Sequence, residues 1–164
     1  SLLGLGIGSS RSLMGRLALN HIAGSSASGF RMKPLGREIR ESMVRVVQGP
    51  FVLNADYLRL DAAQMFYFLT AIGPDAVNPI RFRDLVVKYG GTGGTTCLLE
   101  KGKVKIAGLG EWLSDFSMID EEQIMKRDPR EGAIIVVVSA PSHAVAASSG
   151  AAAIFDTLES FFLE

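Results

Sequence analysis

Cysteine, histidine and tryptophan are nearly missing from this chain of 164 residues: Cys97, His21, His143 and Trp112 are the whole supply. A single cysteine forms no internal disulfide, which points to a reducing compartment, cytoplasm or nucleus. One thiol and two imidazoles do not assemble a Cys/His zinc centre, so no metal is expected. Long apolar runs are missing as well. The longest, AIIVVV at 133–138, is strand-sized, well short of the roughly 18–20 residues that a membrane-spanning helix needs. Neither charge is in excess, since 17 basic and 17 acidic residues give a formal net charge of zero. A neutral chain has no whole-molecule field to draw in nucleic acid or an anionic membrane. What is present is 48% apolar and 21% charged, the make-up of a globular chain with a real core.

Acid is absent from one stretch. Residues 1–37 hold Arg11, Arg16, Arg31, Lys33 and Arg37 and no carboxylate, so the rest of the chain carries a formal excess of five acids. The first thirty residues are rich in Ser, Gly, Ala and Leu. Three readings stay open. One is a basic, acid-poor transit peptide, which would imply mitochondrial import. Another is an ordered element: a strand LLGLGI, a helix near 11–22 carrying Leu13, Leu17 and Ile22, and a flexible linker GSSASG at 24–29. The third is a disordered tail.

From residue 36 the pattern is regular. Ile39, Met43, Val46 and Val47 share a helix face over 37–48, stopped at Gly49-Pro50. FVLN at 51–54 reads as a short strand. Asp61 is placed to cap a helix over 61–72, with Ala62, Met65, Phe66, Leu69 and Ile72 on one face. Pro79 interrupts a turn, and RFRDLVVKY at 81–89 reads as a buried strand ending at Gly90-Gly91. A helix over 110–126 carries Trp112, Leu113, Phe116 and Ile119 inward, with Asp120, Glu121 and Glu122 as a solvated acidic cluster. Residues 133–139 form the clearest strand, and 151–163 a closing helix with Ile154, Phe155, Leu158, Phe161 and Phe162 inward. Strands alternating with helices predict an α/β or α+β domain over 31–164, with three to four strands under about four helices. Residues 1–30 form an appendage.

The loop at 85–96, LVVKYGGTGGTT, is the main chemical candidate. Glycines after a strand let backbone N–H groups approach a phosphate. Lys88 offers a charge there, and Thr92, Thr95 or Thr96 a hydroxyl. The lysine precedes the glycines, however, so the loop lacks the G-x-x-x-x-G-K-[ST] order. VVKYGGT resembles the K-[FY]-G-G-[ST] strand-loop of aspartokinases in the amino-acid kinase superfamily, and VVVSAPS at 136–142 resembles that family's second strand. The resemblance implies that Lys88, Gly90, Gly91 and Thr92 face phosphate; Gly93 and Gly94 depart from the family pattern.

A longer resemblance covers 36–87. Arg37, Ile39, Arg40, Glu41, Val46, Phe51, Phe68, Leu69, Ile72, Gly73, Pro74, Ile80 and Arg81 occur in the order found in a segment of fungal F-box-like proteins. That resemblance implies an interaction module. The remaining groups read as structure. Gly4, Gly6 and Gly8 miss the dinucleotide register. His143 near Ser139 and Ser142 reads as a strand-end turn, and Cys97 as a small buried hydrophobe. No complete catalytic set assembles and no cofactor is expected.

The expected function is a non-enzymatic protein-interaction or scaffold domain. Its surface would use the basic arm, Tyr67, Arg81 and Arg83, or the acidic 120–122 cluster. The alternative is a phosphate- or nucleotide-binding domain centred on Lys88 and the loop Gly90–Gly94.

Overall fold

The structure, a computed structural model, describes residues 7–27, 29–70, 72, 73 and 77–162, without the side chains of 7, 9 and 160–162. The chain divides into two compact units, Ser1–Val46 and Val47–Glu164. Among the described residues there are five α-helices and seven strands in two antiparallel sheets, a mixed α+β architecture.

Unit 1 holds α1 (Ile7–Leu19), β1 (Ala23–Ser26), β2 (Gly29–Met32) and α2 (Pro34–Val46). The segment expected to be a linker is a hairpin, with Ala23 opposite Met32 and Ser26 opposite Gly29. A boundary at 30/31 would cut β2 in half. Ser26 Oγ donates to Gly29 O across the turn at 2.7 Å, and Lys33 N donates to Ile22 O at 2.9 Å at the hairpin's base. α2 starts tight against that base. A Cβ on Gly36 would stand 2.2 Å from Ile22 O, so only glycine fits. Gly36 is the one buried residue of α2, and its apolar positions Ile39 and Met43 stay over a third exposed. The strand expected at LLGLGI lies mostly outside the described residues, and Ile7 belongs to α1.

Unit 2 is built on one sheet. Its strands are β3 (Val47–Leu53), β4 (Ala63–Leu69), β5 (Gly93–Glu100), β6 (Lys103–Ile106) and β7 (Ile134–Ala140), in the order β3-β4-β7-β5-β6. Its helices are α3 (Pro79–Lys88), α4 (Met118–Met125) after a 3-10 turn at Leu113–Asp115, and α5 (His143–Phe162). Every sheet contact is antiparallel. Both edges are guarded: Pro50 lies in β3, and β6 is short and carries Lys103 and Lys105.

Both sheet faces are covered. Phe66 and Phe68 of β4, Cys97 and Leu99 of β5, and Ile135 and Val137 of β7 pack with Leu113 and Ile124. On the other face α3 lies over β5, and α5 over β4 and β7. A Cβ on Gly94 would meet Phe82 and Val86 of α3 at 3.3 Å, and one on Gly150 would meet Tyr67 and Val138 at 2.7 and 3.0 Å. α5 reaches the sheet through small side chains. Ala146, Ser149, Gly150 and Ala153, at i, i+3, i+4 and i+7, are all buried.

Two elements exchange type relative to the sequence expectation. The helix expected over 61–72 is β4, buried at all seven positions. A continuous apolar run satisfies the 3.6 and the 2.0 period alike, and its place between β3 and β7 settles it. Asp61 caps no helix; its Oδ1 accepts the Ala62 N–H at 2.7 Å. The strand expected over 81–89 is α3. Asn78 Oδ1 accepts the N–H groups of Ile80 and Arg81 at 3.0 and 3.1 Å, and Pro79 stands at the first helical position. Phe82, Leu85 and Val86, the buried face, have helical spacing. The helix expected over 110–126 is shorter, and α4 starts at the Ser117 cap. Trp112 is half-buried, while Phe116 and Ile119 are exposed. α5 begins at His143 rather than 151, and its Phe155 faces outward. Phe161 and Phe162 lie outside the described side chains.

Candidate functional site

The glycine loop is a packing device in this fold. Lys88 ends α3 and reaches Asp156 of α5, with Nζ 3.2 Å from Oδ2. Tyr89 OH donates to the same oxygen at 2.7 Å. Hydrogen bonds from Tyr89 and Lys88 hold the Asp156 carboxyl below its ordinary value, and the bond to Asp156 holds the Lys88 amine above its own. The N–H groups of Gly90, Gly91 and Thr92 donate to Val87 O, Val86 O and Ser139 O at 2.8–3.0 Å. Gly93 and Gly94 lie in β5, paired with Ser139 and Val138 of β7. A Cβ on Gly91 would stand 2.5 Å from Val86 Cγ1. The glycines therefore let α3 lie close on the sheet, and the N–H groups of 90–92 meet carbonyls rather than converge on one point.

The expected partner surface separates. Arg81 and Arg83 are exposed on α3, with Arg83 Nη2 3.0 Å from its neighbour Asp84. Tyr67 is 2% exposed in β4, and its hydroxyl donates to Ala147 O at 2.6 Å. Burial raises its phenol above the ordinary range. A continuous apolar run hides which position faces which way, so Tyr67 cannot serve as a surface contact.

Asp120 and Glu121 of the acidic cluster turn onto the fold, while Glu122 stays exposed. Asp120 is fully buried, and its carboxylate accepts the N–H groups of Asp56 and Leu58 at 2.7 and 2.8 Å. Glu121 accepts Val104 N at 2.8 Å, and Gln123 brackets Asn54 through both its N–H and its C=O. α4 thus clamps the loop after β3. Helical spacing from Ile124, one turn on, is the sequence signal that places Asp120 on the buried side. His143, Ser139 and Ser142 form no nucleophile group. Ser139 is buried in β7, and Ser142 Oγ accepts Val145 N at 3.3 Å in the first turn of α5.

Cys97 is fully buried, and burial pushes its thiol up to about 12. The unfolded chain releases that proton near pH 8.5. The stabilisation from the neutral thiol is therefore complete below about pH 8.5 and is lost as pH rises towards 12. Urea unfolding between pH 8 and 10.5 should show a shallower loss of stability in Cys97→Ala than in wild type. Equal slopes would refute the assignment.

The basic arm, the remaining part of the expected partner surface, lies in unit 1. On α1, Gly8, Arg11, Ser12, Leu13, Gly15, Arg16 and Leu19 are exposed, while Ser10, Met14, Leu17 and Ala18 are half-buried. At about 100° per residue the exposed set spans an arc of roughly 200°, within which Arg11 and Arg16 flank Gly8, Ser12, Gly15 and Leu19. Beyond the helix's own backbone, nothing among the described residues stands within 4 Å of a Cβ built on Gly8 or Gly15. A mid-helix glycine costs about 1 kcal/mol relative to alanine, and at Gly15 no close packing among the described residues offsets it. The hairpin continues the surface: Ser25, Ser26, Gly29, Phe30 and Arg31 are all exposed. Among the described residues no cluster of His, Cys, Asp and Glu is suited to a metal, and no helix is long and apolar enough to cross a membrane.

The whole architecture recurs in a hypothetical protein, PH0730, from Pyrococcus horikoshii OT3. The two superpose with a TM-score of 0.80 at 19% identity, over 97% of this chain and 81% of that one. At that identity the likeness concerns the fold. No curated protein matches the chain. The resemblance to fungal F-box-like proteins is overturned. Its segment 36–87 runs across both units, and the two elements it matched as helix and strand are β4 and α3. The aspartokinase resemblance falls with it, because Lys88 closes a helix. A family model spans residues 66–158, from β4 into α5, and by that match the chain belongs to the family described as a domain of unknown function, DUF4443.

Proposed function

We infer that the protein is a non-enzymatic nucleic-acid-binding protein whose unit 1 docks on duplex backbone and groove. One observation carries this: the acid-free basic stretch folds into a helix and a two-stranded ribbon with Arg11 and Arg16 on their outer surface. A helix or a two-stranded ribbon is what a major groove admits, and arginines flanking Gly8, Ser12 and Gly15 suit phosphates on either side. Gly15 lets the helix backbone approach the groove floor. The zero net charge of the whole chain hides this, because the acids after residue 37 cancel a local field that a bound polyanion would meet alone.

Anisotropy of a labelled duplex of about 20 base pairs, titrated with the full chain over a series of KCl concentrations, tests the reading. Binding should weaken with salt, and each of Arg11→Gln and Arg16→Gln should lower the log–log salt slope by about one. Arg81→Gln with Arg83→Gln, on α3, should leave the slope unchanged. A salt-independent affinity, or equal effects of both pairs, would sink the proposal.

A second reading, a protein-interaction surface on unit 2, is favoured by a different observation. Tyr57 stacks on Phe116 with ring centroids 4.7 Å apart, both are over 40% exposed, and Met118 and Ile119 nearby are 66% and 59% exposed.

A further inference from the structure

Three strand ends meet at one corner of unit 2. The register sets Leu53 of β3 opposite Gln64 of β4, and Gln64 opposite Ser139 of β7. α5 begins at His143, just past the end of β7 at Ala140. A cavity of about 250 Å³ opens there, lined by Leu53, Asn54, Arg59, Ala62, Gln64 and His143 among others. Its floor is polar, since Gln64 is 3% exposed with its amide Nε2 donating to Asp61 O at 2.6 Å. Arg59 and His143 are the ionisable groups of the lining, and no carboxylate belongs to it. Arg59 is exposed and makes no ion pair among the described residues.

The backbone that bears Arg59 is held still. Asp120 grips the N–H groups of Asp56 and Leu58, and Gln123 grips Asn54 on both sides. The guanidinium thus stands on a fixed segment, and the ordering cost of a binding loop is met by folding. An arginine on a fixed segment and an imidazole around a polar hollow without a carboxylate match a negative charge. The volume corresponds to roughly eight waters at about 30 Å³ each, room for a compact group.

We propose that this corner of unit 2 binds a small oxyanion, the carboxylate or phosphate group of a compact metabolite, between Arg59 and His143. The guanidinium takes two oxygens side by side. The imidazole supplies a further donor, and the apolar wall at Leu53 and Ala62 leaves room for a short carbon body.

The test is a nitrogen-15 amide titration of the full chain with sodium phosphate and, separately, sodium acetate, against sodium chloride at matched ionic strength. Saturable shifts confined to residues 54–64 and 142–145, given by an oxyanion and not by chloride, are expected. The oxyanion that saturates first identifies the head group. Arg59→Gln should raise the midpoint at least tenfold and Arg59→Lys by less, with the thermal midpoint unchanged in both. His143→Gln should raise it a few-fold. The proposal is overturned if neither oxyanion saturates, if chloride reproduces the shifts, or if Arg59→Gln leaves the midpoint where it was.

Discussion

Replacing Asp120 by alanine is expected to destabilise unit 2 by about 3 kcal/mol. Two backbone donors set this loss. The Asp56 and Leu58 N–H groups, in a part-buried and a buried setting, both lose their acceptor. Each such loss costs roughly 1–3 kcal/mol. The cap from Ser117 Oγ to Asp120 N survives the change, since it uses the backbone. Urea unfolding followed by circular dichroism reads the loss, and the thermal midpoint should fall by roughly 10 °C. Asp120→Asn should lie between, because it keeps one acceptor and turns an NH₂ towards the other donor. A loss under about 0.5 kcal/mol in Asp120→Ala would mean that water reaches the loop and that α4 does not clamp it. The anion site would feel the same change, because Arg59 follows the clamped Leu58.

Truncating either face of β4 is expected to be costly, and this separates a central strand from the helix that the sequence pattern predicts. Phe68→Ala removes a ring that is fully buried and packed on Phe51 and Phe66, at centroid distances of 5.8 and 5.4 Å. The expected cost is about 3–5 kcal/mol. Tyr67→Phe, on the opposite face, removes only the hydroxyl bonded to Ala147 O, and about 1–1.5 kcal/mol should be lost. An amphipathic helix over 61–72, with Phe66 and Leu69 inward, would leave position 67 on its wet side and tolerant. A neutral Tyr67→Phe together with a mild Phe68→Ala would contradict the two-sided burial of β4. Gly150 adds a check from across the interface, since a Cβ there would stand 3.1 Å from the Tyr67 hydroxyl.

Much of the outline of both units could be read along the chain. The strand near 133–139, the helix from the mid-thirties and the short strand near 51–54 are where local pattern puts them. The α3 helix was legible too, in the Asn78-Pro79 start and the 82, 85, 86 spacing, but a short apolar run after an arginine pair imitates a strand. The start of α5 was harder to see. HAVAASSGAAA has small residues where a helix stripe normally has large ones, and only the closeness of Tyr67 and Val138 shows why. The glycines at 90–94 gave the opposite error. Glycine near lysine imitates a phosphate loop, whereas here the missing side chains admit Phe82 and Val86.

By itself, the sequence determined where the charge lies, that β7 is a strand, and that no disulfide forms, because these depend on residue identity or on one unambiguous local period. Tertiary structure decided the rest. The apolar run at 63–69 is a strand because β3 and β7 take both its edges, and Asp120 is an internal acceptor because the loop after β3 offers it two N–H groups. Lys88 is an inter-helix tie because α5 brings Asp156 within 3.2 Å. Each of these turns on a partner distant in sequence, and local periodicity carries no information about which partner arrives.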